Sequence, residues 1–124
     1  MVGMSREEVP PWLREQLARF DQLQQNLQAI LVQKQQVELE MADIERTINE
    51  LKKADSEEAV YKYAGSILIK VKRDDMLKEL EERREIANTR SLVLSKQETR
   101  ARESAKELQA KIDEALRFKP PSQT

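Results

Sequence analysis

Residues 59–71 read AVYKYAGSILIKV, and this stretch decides the fold. β-Branched and aromatic residues stand on both sides of Gly65-Ser66, a pattern typical of a two-stranded hairpin with a two-residue turn. Glycine in the first turn position predicts a type II′ turn and a pairing that starts with Val60 opposite Val71. A lone hairpin is marginally stable in water. We therefore expect strands from other chains to complete the sheet, which would make the protein one subunit of an oligomer.

The hairpin carries apolar or aromatic side chains on both faces, and these are the residues that we expect to join subunits. They are Val60, Tyr61, Tyr63, Ile67, Leu68, Ile69 and Val71. Strands that are apolar on both faces are typical of a sheet that is covered on both sides.

The composition outside the hairpin is that of long helices. Charged residues make up 36% and aromatic residues 4% of the 124 residues, and there are only two glycines, so little bulk is available for a globular core. Gln, Glu, Leu, Lys, Arg and Ala, which are strong helix formers, dominate the rest. The predicted fold class is mainly α: a long antiparallel two-helix coiled coil, with a central β-hairpin at its base through which subunits join.

The same composition argues against several functions. The chain has no histidine and no cysteine, so the commonest general base and the best nucleophile are missing. It also lacks a glycine-rich phosphate loop, and its net charge of −1 does not indicate a basic surface for nucleic-acid binding. No apolar run approaches the roughly 20 residues of a membrane span. We expect a soluble, cytoplasmic protein that is not an enzyme, with no cofactor, no metal site, no nucleic acid and no membrane contact.

The pattern predicts a single domain over residues 1–124. Its expected parts are helix 1 at about 11–53, the hairpin at about 59–72, helix 2 at about 74–117 and frayed tails at 1–8 and 118–124. Apolar residues recur along helix 1 at the three- and four-residue steps of a heptad seam. If Leu13, Leu17, Phe20 and Leu23 are all seam residues, two steps of three follow one another. The heptad is then one residue short between Phe20 and Leu23, which predicts a local stammer. Asp74 or Asp75 is the expected amino-terminal cap of helix 2.

Large apolar residues gather where the two chain ends would meet, at the tip of the helix pair. They are Val9, Trp12, Leu13, Leu17 and Phe20 from the first helix, and Ile112, Leu116 and Phe118 from the second. A pair of helices has little room to bury so many large side chains, so one interpretation is an exposed apolar binding surface. The other is that Trp12, which falls beside the seam, covers its frayed end.

Several segments together resemble one known family. These are the Pro10-Pro11 pair, FDQLQQ at 20–25, QKQQVELE at 33–40, the hairpin itself, Asp74-Asp75 and KQE at 96–98. In this order they resemble the archaeal prefoldin β subunit family, over nearly the whole chain. The hairpin is the most specific part of the resemblance.

The resemblance implies an assembly and a function. It implies a heterohexamer in which four β subunits join two prefoldin α subunits, with the hairpins forming a double β-barrel. It implies an ATP-independent holdase that captures unfolded polypeptides at the coiled-coil tips and passes them to a group II chaperonin. By position, the tip role falls on Trp12, Leu13, Leu17, Phe20, Leu108, Ile112 and Leu116.

A structural adaptor is the alternative function. In that hypothesis the chain is a coiled-coil spacer whose tips bind one defined partner. A DNA-binding coiled coil ranks third, since no basic stretch precedes either heptad run. Slowed aggregation of several unrelated unfolded proteins without nucleotide would separate the holdase from the adaptor.

Overall fold

The computed structural model describes residues 9–117 and confirms the predicted fold class. Its elements, in chain order, are α1 (Pro11–Lys53), β1 (Val60–Ala64), β2 (Ile67–Val71) and α2 (Arg73–Arg117). Two long helices thus flank an antiparallel hairpin. The intersubunit barrel stays a prediction, and the expected frayed tails, with Phe118, lie outside the described residues.

Helix α1 begins and ends where its residues suit helix termini. Pro11 opens the helix, because a first-turn residue needs no backbone N–H donor. The carbonyl of Pro10 accepts hydrogen bonds from the backbone N–H groups of Leu13 and Arg14, each at 3.0 Å. Lys52 and Lys53 form the last turn, where their charges oppose the negative end of the helix dipole.

The hairpin has the predicted register and turn. Val60 lies opposite Val71, and the pairing continues to Ala64 opposite Ile67. Gly65 has a φ of 65°, whereas Ser66 keeps a negative φ. A type I′ turn would need positive φ at both positions, so the turn is of type II′, and glycine is required at its first position.

Helix α2 begins at about the predicted position, but without the predicted cap. Its first residue is Arg73, and Met76 N–H already donates to the carbonyl of Lys72 at 3.0 Å. The predicted capping role of Asp74 or Asp75 is therefore wrong, since both lie inside the first turn. There their carboxylates still face the positive end of the helix dipole.

The chain divides into two compact units, which we describe separately. The hairpin unit covers residues 33–94. Its core is a single seam from both helices, with Val37 and Ile48 the largest fully buried side chains. The other buried residues of this unit are Ile44, Leu80, Ala87 and Leu94. On α2, buried and half-buried residues recur at steps of three and four, which is the heptad pattern of a coiled-coil seam.

The terminal unit, residues 9–32 and 95–117 of the described chain, has its own core. One group of its buried residues, which we call the terminal cluster, consists of Leu13, Leu108 and Ile112. Val9, Phe20 and Leu23 pack against this cluster and are partly buried. Leu27 and Ala105 extend the core along the two helices.

The predicted stammer in α1 is wrong. Gln16 is half-buried and occupies the seam, whereas Leu17 is 45% exposed beside it. The seam therefore runs Leu13, Gln16, Phe20, Leu23 in unbroken steps of three and four. A glutamine can lay its aliphatic stem along the seam and keep its amide in water, so the helix keeps a regular heptad instead of overwinding.

Candidate functional site

The outer face of the hairpin is strongly exposed. Tyr61 and Tyr63 on β1 are 58% and 77% exposed, and Leu68, which lies opposite Tyr63, is 56% exposed. Both strands of this two-stranded sheet are edges within the described residues. Long apolar edge strands readily pair with other strands. The predicted assembly residues of this face are thus placed in one accessible patch.

The remaining predicted assembly residues divide between the two faces of the hairpin. Ile67 and Ile69 on β2 are also exposed, so this strand presents apolar side chains on both faces. Val60 and Val71, which pair with each other, are half-buried. The hairpin therefore rests on its own chain at one end and offers most of its apolar surface outward.

An ion pair ties the hairpin to α2. Lys62 Nζ donates hydrogen bonds to Glu79 Oε1 at 2.8 Å and to Glu79 Oε2 at 3.1 Å, and both side chains are half-buried. The hydrogen bond from Lys62 lowers the pKa of Glu79, desolvation opposes the shift, and the charges of Lys62 and Arg83 add to the lowering. Sequence analysis missed this pair, since nothing in the pattern links residues 17 positions apart.

Arg73 joins the beginning of α2 to the end of α1. Its Nε donates to the carbonyl of Leu51 at 2.8 Å, and its Nη2 donates to that of Lys52 at 3.4 Å. The carbonyls of a last helical turn have no partner inside the helix, so the guanidinium supplies one from outside. The two contacts fix the helix ends between which the hairpin is held.

The predicted tip residues in the terminal unit differ in how deeply they are buried. Leu13, Leu108 and Ile112 are buried in the terminal cluster, and Val9 and Phe20 are half-buried against it. The other three are exposed: Trp12 by 50%, Leu17 by 45% and Leu116 by 53%. The first five therefore form a support, and the last three are the side chains that a partner could reach.

The exposed residues lie on two edges of the terminal unit. Heptad positions beside the seam place Trp12, Arg19 and Lys111 on one edge, which we call the Trp12 edge. Leu17 and Leu116 fall on the opposite edge. Two separate apolar surfaces are thus available, one with a tryptophan and the other with leucines.

A cleft of about 400 Å³ opens along the Trp12 edge. Its apolar lining is Trp12, Leu23, Leu108 and Ile112, and its polar lining is Gln16, Arg19, Ser104, Glu107 and Lys111. The sequence prediction missed Gln16 because it placed Leu17 in the seam, and it missed Arg19 and Lys111 because it considered apolar side chains alone. The unbroken heptad was the signal that would have found them.

Two further observations concern the whole described part of the chain. No helix within residues 9–117 is long and apolar enough to cross a membrane. In the same residues, no three acidic side chains come together in a group that could hold a metal ion.

Comparison with known proteins gives the family of the chain. The family described as "Prefoldin subunit" matches residues 14–117. The chain belongs to this family. Membership supports a chaperone-type role.

Individual relatives agree with this assignment. The chain is 42% identical over 109 residues to the "Prefoldin subunit beta" of Archaeoglobus fulgidus, and the match covers 88% of this chain and 94% of that relative. It is 37% identical over 109 residues to the protein of the same name from Caldivirga maquilingensis, covering 88% and 90% of the two chains.

Solved structures show the same fold. The crystal structure of the prefoldin beta subunit from Thermococcus strain KS-1 matches with a TM-score of 0.81 and 33% identity, over 90% of this chain and 97% of that one. The beta2 subunit from the same strain matches with a TM-score of 0.66 over 73% of this chain and 97% of that one. At 24% identity, this second likeness shows the fold alone.

Proposed function

We propose that this chain is a subunit of an ATP-independent chaperone that holds unfolded polypeptides. The observation that carries the proposal is the exposure of Trp12, Leu17 and Leu116 around the packed terminal cluster. Exposed apolar side chains on a firm support are a surface that binds other apolar groups. An unfolded polypeptide offers such groups and a folded one conceals them.

The hairpin supports the assembly part of the proposal. Its exposed aromatic and aliphatic residues, Tyr63 and Leu68 above all, need strands or side chains from other subunits to cover them. We propose that each chain contributes one prefoldin-like domain to a heterohexamer of two α subunits and four copies of this chain. The hairpins would join in an intersubunit β-barrel.

Holding without nucleotide follows from many weak contacts. A single terminal unit binds an unfolded segment weakly, whereas several units in one assembly bind the same client at high effective concentration. Each unit can then release its segment of the client without nucleotide hydrolysis. Held clients would then pass to a group II chaperonin, which requires both assemblies in one compartment, the cytoplasm.

Aggregation assays test the holding function. The chain assembled with its α partner should suppress aggregation of several unrelated unfolded proteins without nucleotide. The triple variant Trp12→Gln, Leu17→Gln, Leu116→Gln should assemble normally and lose most of this suppression. The matched control replaces Leu39, Ile86 and Leu92, which are exposed in the hairpin unit, by glutamine and should retain it.

The same assay separates the alternative function. Suppression limited to one protein would support a structural adaptor that binds one defined partner. Equal loss in both triple variants would show that general surface apolarity, rather than the terminal unit, holds the clients. Either result would overturn the proposal.

A further inference from the structure

The cleft on the Trp12 edge has an apolar floor and one aromatic wall. Leu108 and Ile112 of the terminal cluster and the half-buried Leu23 form the floor, and Trp12 stands beside them at 50% exposure. The volume of about 400 Å³ is at the small end of binding pockets. It suits one or two large side chains of an extended segment rather than a folded surface.

The charges around this cleft are unbalanced. Arg19 and Lys111 line it, and neither forms an ion pair with another residue of the described chain. Glu107 also lines the cleft, one helical turn from Lys111 on the outer side of α2. The lining therefore carries two cations and one carboxylate.

The positions beside the seam show the same imbalance throughout the terminal unit. Their charged residues are Arg19, Arg102 and Lys111, and none of these positions in residues 9–32 and 95–117 is acidic. Arg102 is paired with Glu98 at 2.9 Å on the other edge. The two cations of the Trp12 edge thus have no ion-pair partner within residues 9–117.

In the hairpin unit, by contrast, charged residues at and beside the seam form ion pairs. There, residues beside the seam pair across the two helices, as in Arg90 with Glu40 at 3.8 Å. Arg84, in the seam itself, pairs with Glu45 at 2.9 Å. Charges of opposite sign at such positions normally satisfy each other. Among the described residues, no such pair forms on the Trp12 edge, so a net positive surface lies beside the apolar cleft.

We infer that the cleft binds a large apolar side chain of an unfolded client whose neighbouring residues are acidic. The inference rests on the proposed holding function and adds a selectivity to it. Trp12, Leu108 and Ile112 bury the apolar side chain, while Arg19 and Lys111 attract the flanking carboxylates. Aspartate or glutamate beside a hydrophobic residue would therefore mark the segments that are held first.

Trp12 provides a reporter at the cleft, because it is the only tryptophan of the chain. The assembled protein is titrated with tryptophan-free peptides that share a central phenylalanine flanked by aspartates, serines or lysines. The Trp12→Phe assembly gives the background from the partner subunit. We expect the acidic peptide to change Trp12 emission and to bind about three- to tenfold more tightly than the serine peptide at low salt. High salt should remove this difference.

Matched charge variants locate the effect. Arg19→Gln with Lys111→Gln should abolish the preference for the acidic peptide and leave serine-peptide binding unchanged. Lys96→Gln with Arg100→Gln removes the same charge from exposed positions outside the cleft and should preserve the preference.

Equal binding of the three peptides, or loss of the preference in both double variants, would overturn the inference. If no peptide changes Trp12 emission while aggregation is still suppressed, the cleft inference fails and the proposed function stands. If suppression is also absent, the proposed function fails.

Discussion

Lys62 in β1 and Glu79 in α2 form the one ion pair of the described chain that joins a strand to a helix. Nζ lies 2.8 Å from one carboxylate oxygen and 3.1 Å from the other. The pair fixes where β1 crosses the first turns of α2. The exposed face of the hairpin, with Tyr61 and Tyr63, is thereby turned away from the helix.

The pair makes stability depend on pH in a defined direction. Because the pKa of Glu79 is lower in the folded chain than in the unfolded one, its contribution is complete above the unfolded-state pKa and is lost as the pH falls through the folded-state pKa. Glu79→Gln should lower the urea midpoint at neutral pH and have a diminishing effect as the solution is acidified. Urea denaturation, monitored by circular dichroism, measures the midpoints at neutral and at acidic pH.

Glu82→Gln is the control for this prediction, since Glu82 is exposed on the same helix and forms no ion pair with a described residue. It should shift the midpoint little at either pH. A Glu79→Gln effect of the same size in acid and at neutral pH would show that the charge of Glu79 is not what stabilises the hairpin.

Arg73 should contribute more to the free energy of unfolding than other cationic residues near the start of α2. Its guanidinium donates to two carbonyls of the last α1 turn, so Arg73→Met leaves both without this partner. Hydrogen bonds that involve a charged group contribute about 1.5–3 kcal/mol each at most. We expect a loss of about 1–2 kcal/mol in the free energy of unfolding, because water replaces part of the interaction. Lys78→Met, at an exposed position, should cost less than about 0.5 kcal/mol. Urea denaturation of the two variants compares these costs, and equal losses would contradict the role of Arg73.

Gln16 and Leu17 test the register of the terminal unit. Gln16 occupies the seam and Leu17 is 45% exposed, so Gln16→Leu should stabilise the fold by about 1 kcal/mol through added apolar burial. Leu17→Gln should be nearly neutral for stability. Thermal unfolding of the two variants decides between the registers. A destabilised Leu17→Gln together with a Gln16→Leu that gains no stability is the pattern expected from a stammer, and it would contradict the regular heptad.

The hairpin and the helices could be predicted from sequence because local rules determine them. The turn type follows from glycine at position 65, since only its backbone adopts the positive φ without strain. The seam of α2 follows from a strict repeat. The role of Arg73 at the start of α2 could not be predicted, because its guanidinium bonds to α1 carbonyls that are distant in sequence.

The candidate site was predictable in composition and not in geometry. Apolarity identified the residues of the terminal unit, but the division into a buried cluster and exposed side chains depends on which residue takes each seam position. Apolarity alone favoured Leu17 over Gln16, and the packed structure favours the regular heptad. That Arg19 and Lys111 lie beside the seam, with no ion-pair partner among the described residues, becomes visible only once that register is known.

In the proposed assembly, hairpins bring several terminal units together, and holding depends on the number of these units. Tyr63→Asp with Leu68→Asp places charges on the outer hairpin face while leaving the terminal unit intact. Leu39→Asp with Ile86→Asp is the control, at exposed apolar positions of the same hairpin unit.

Native mass and aggregation suppression, measured on the same samples with the α partner, give the most direct test. We expect the wild type and the control to form hexamers that suppress aggregation, and the hairpin variant to dissociate and lose suppression at equal chain concentration. A dissociated hairpin variant that holds unfolded proteins as well as the wild type would contradict the claim.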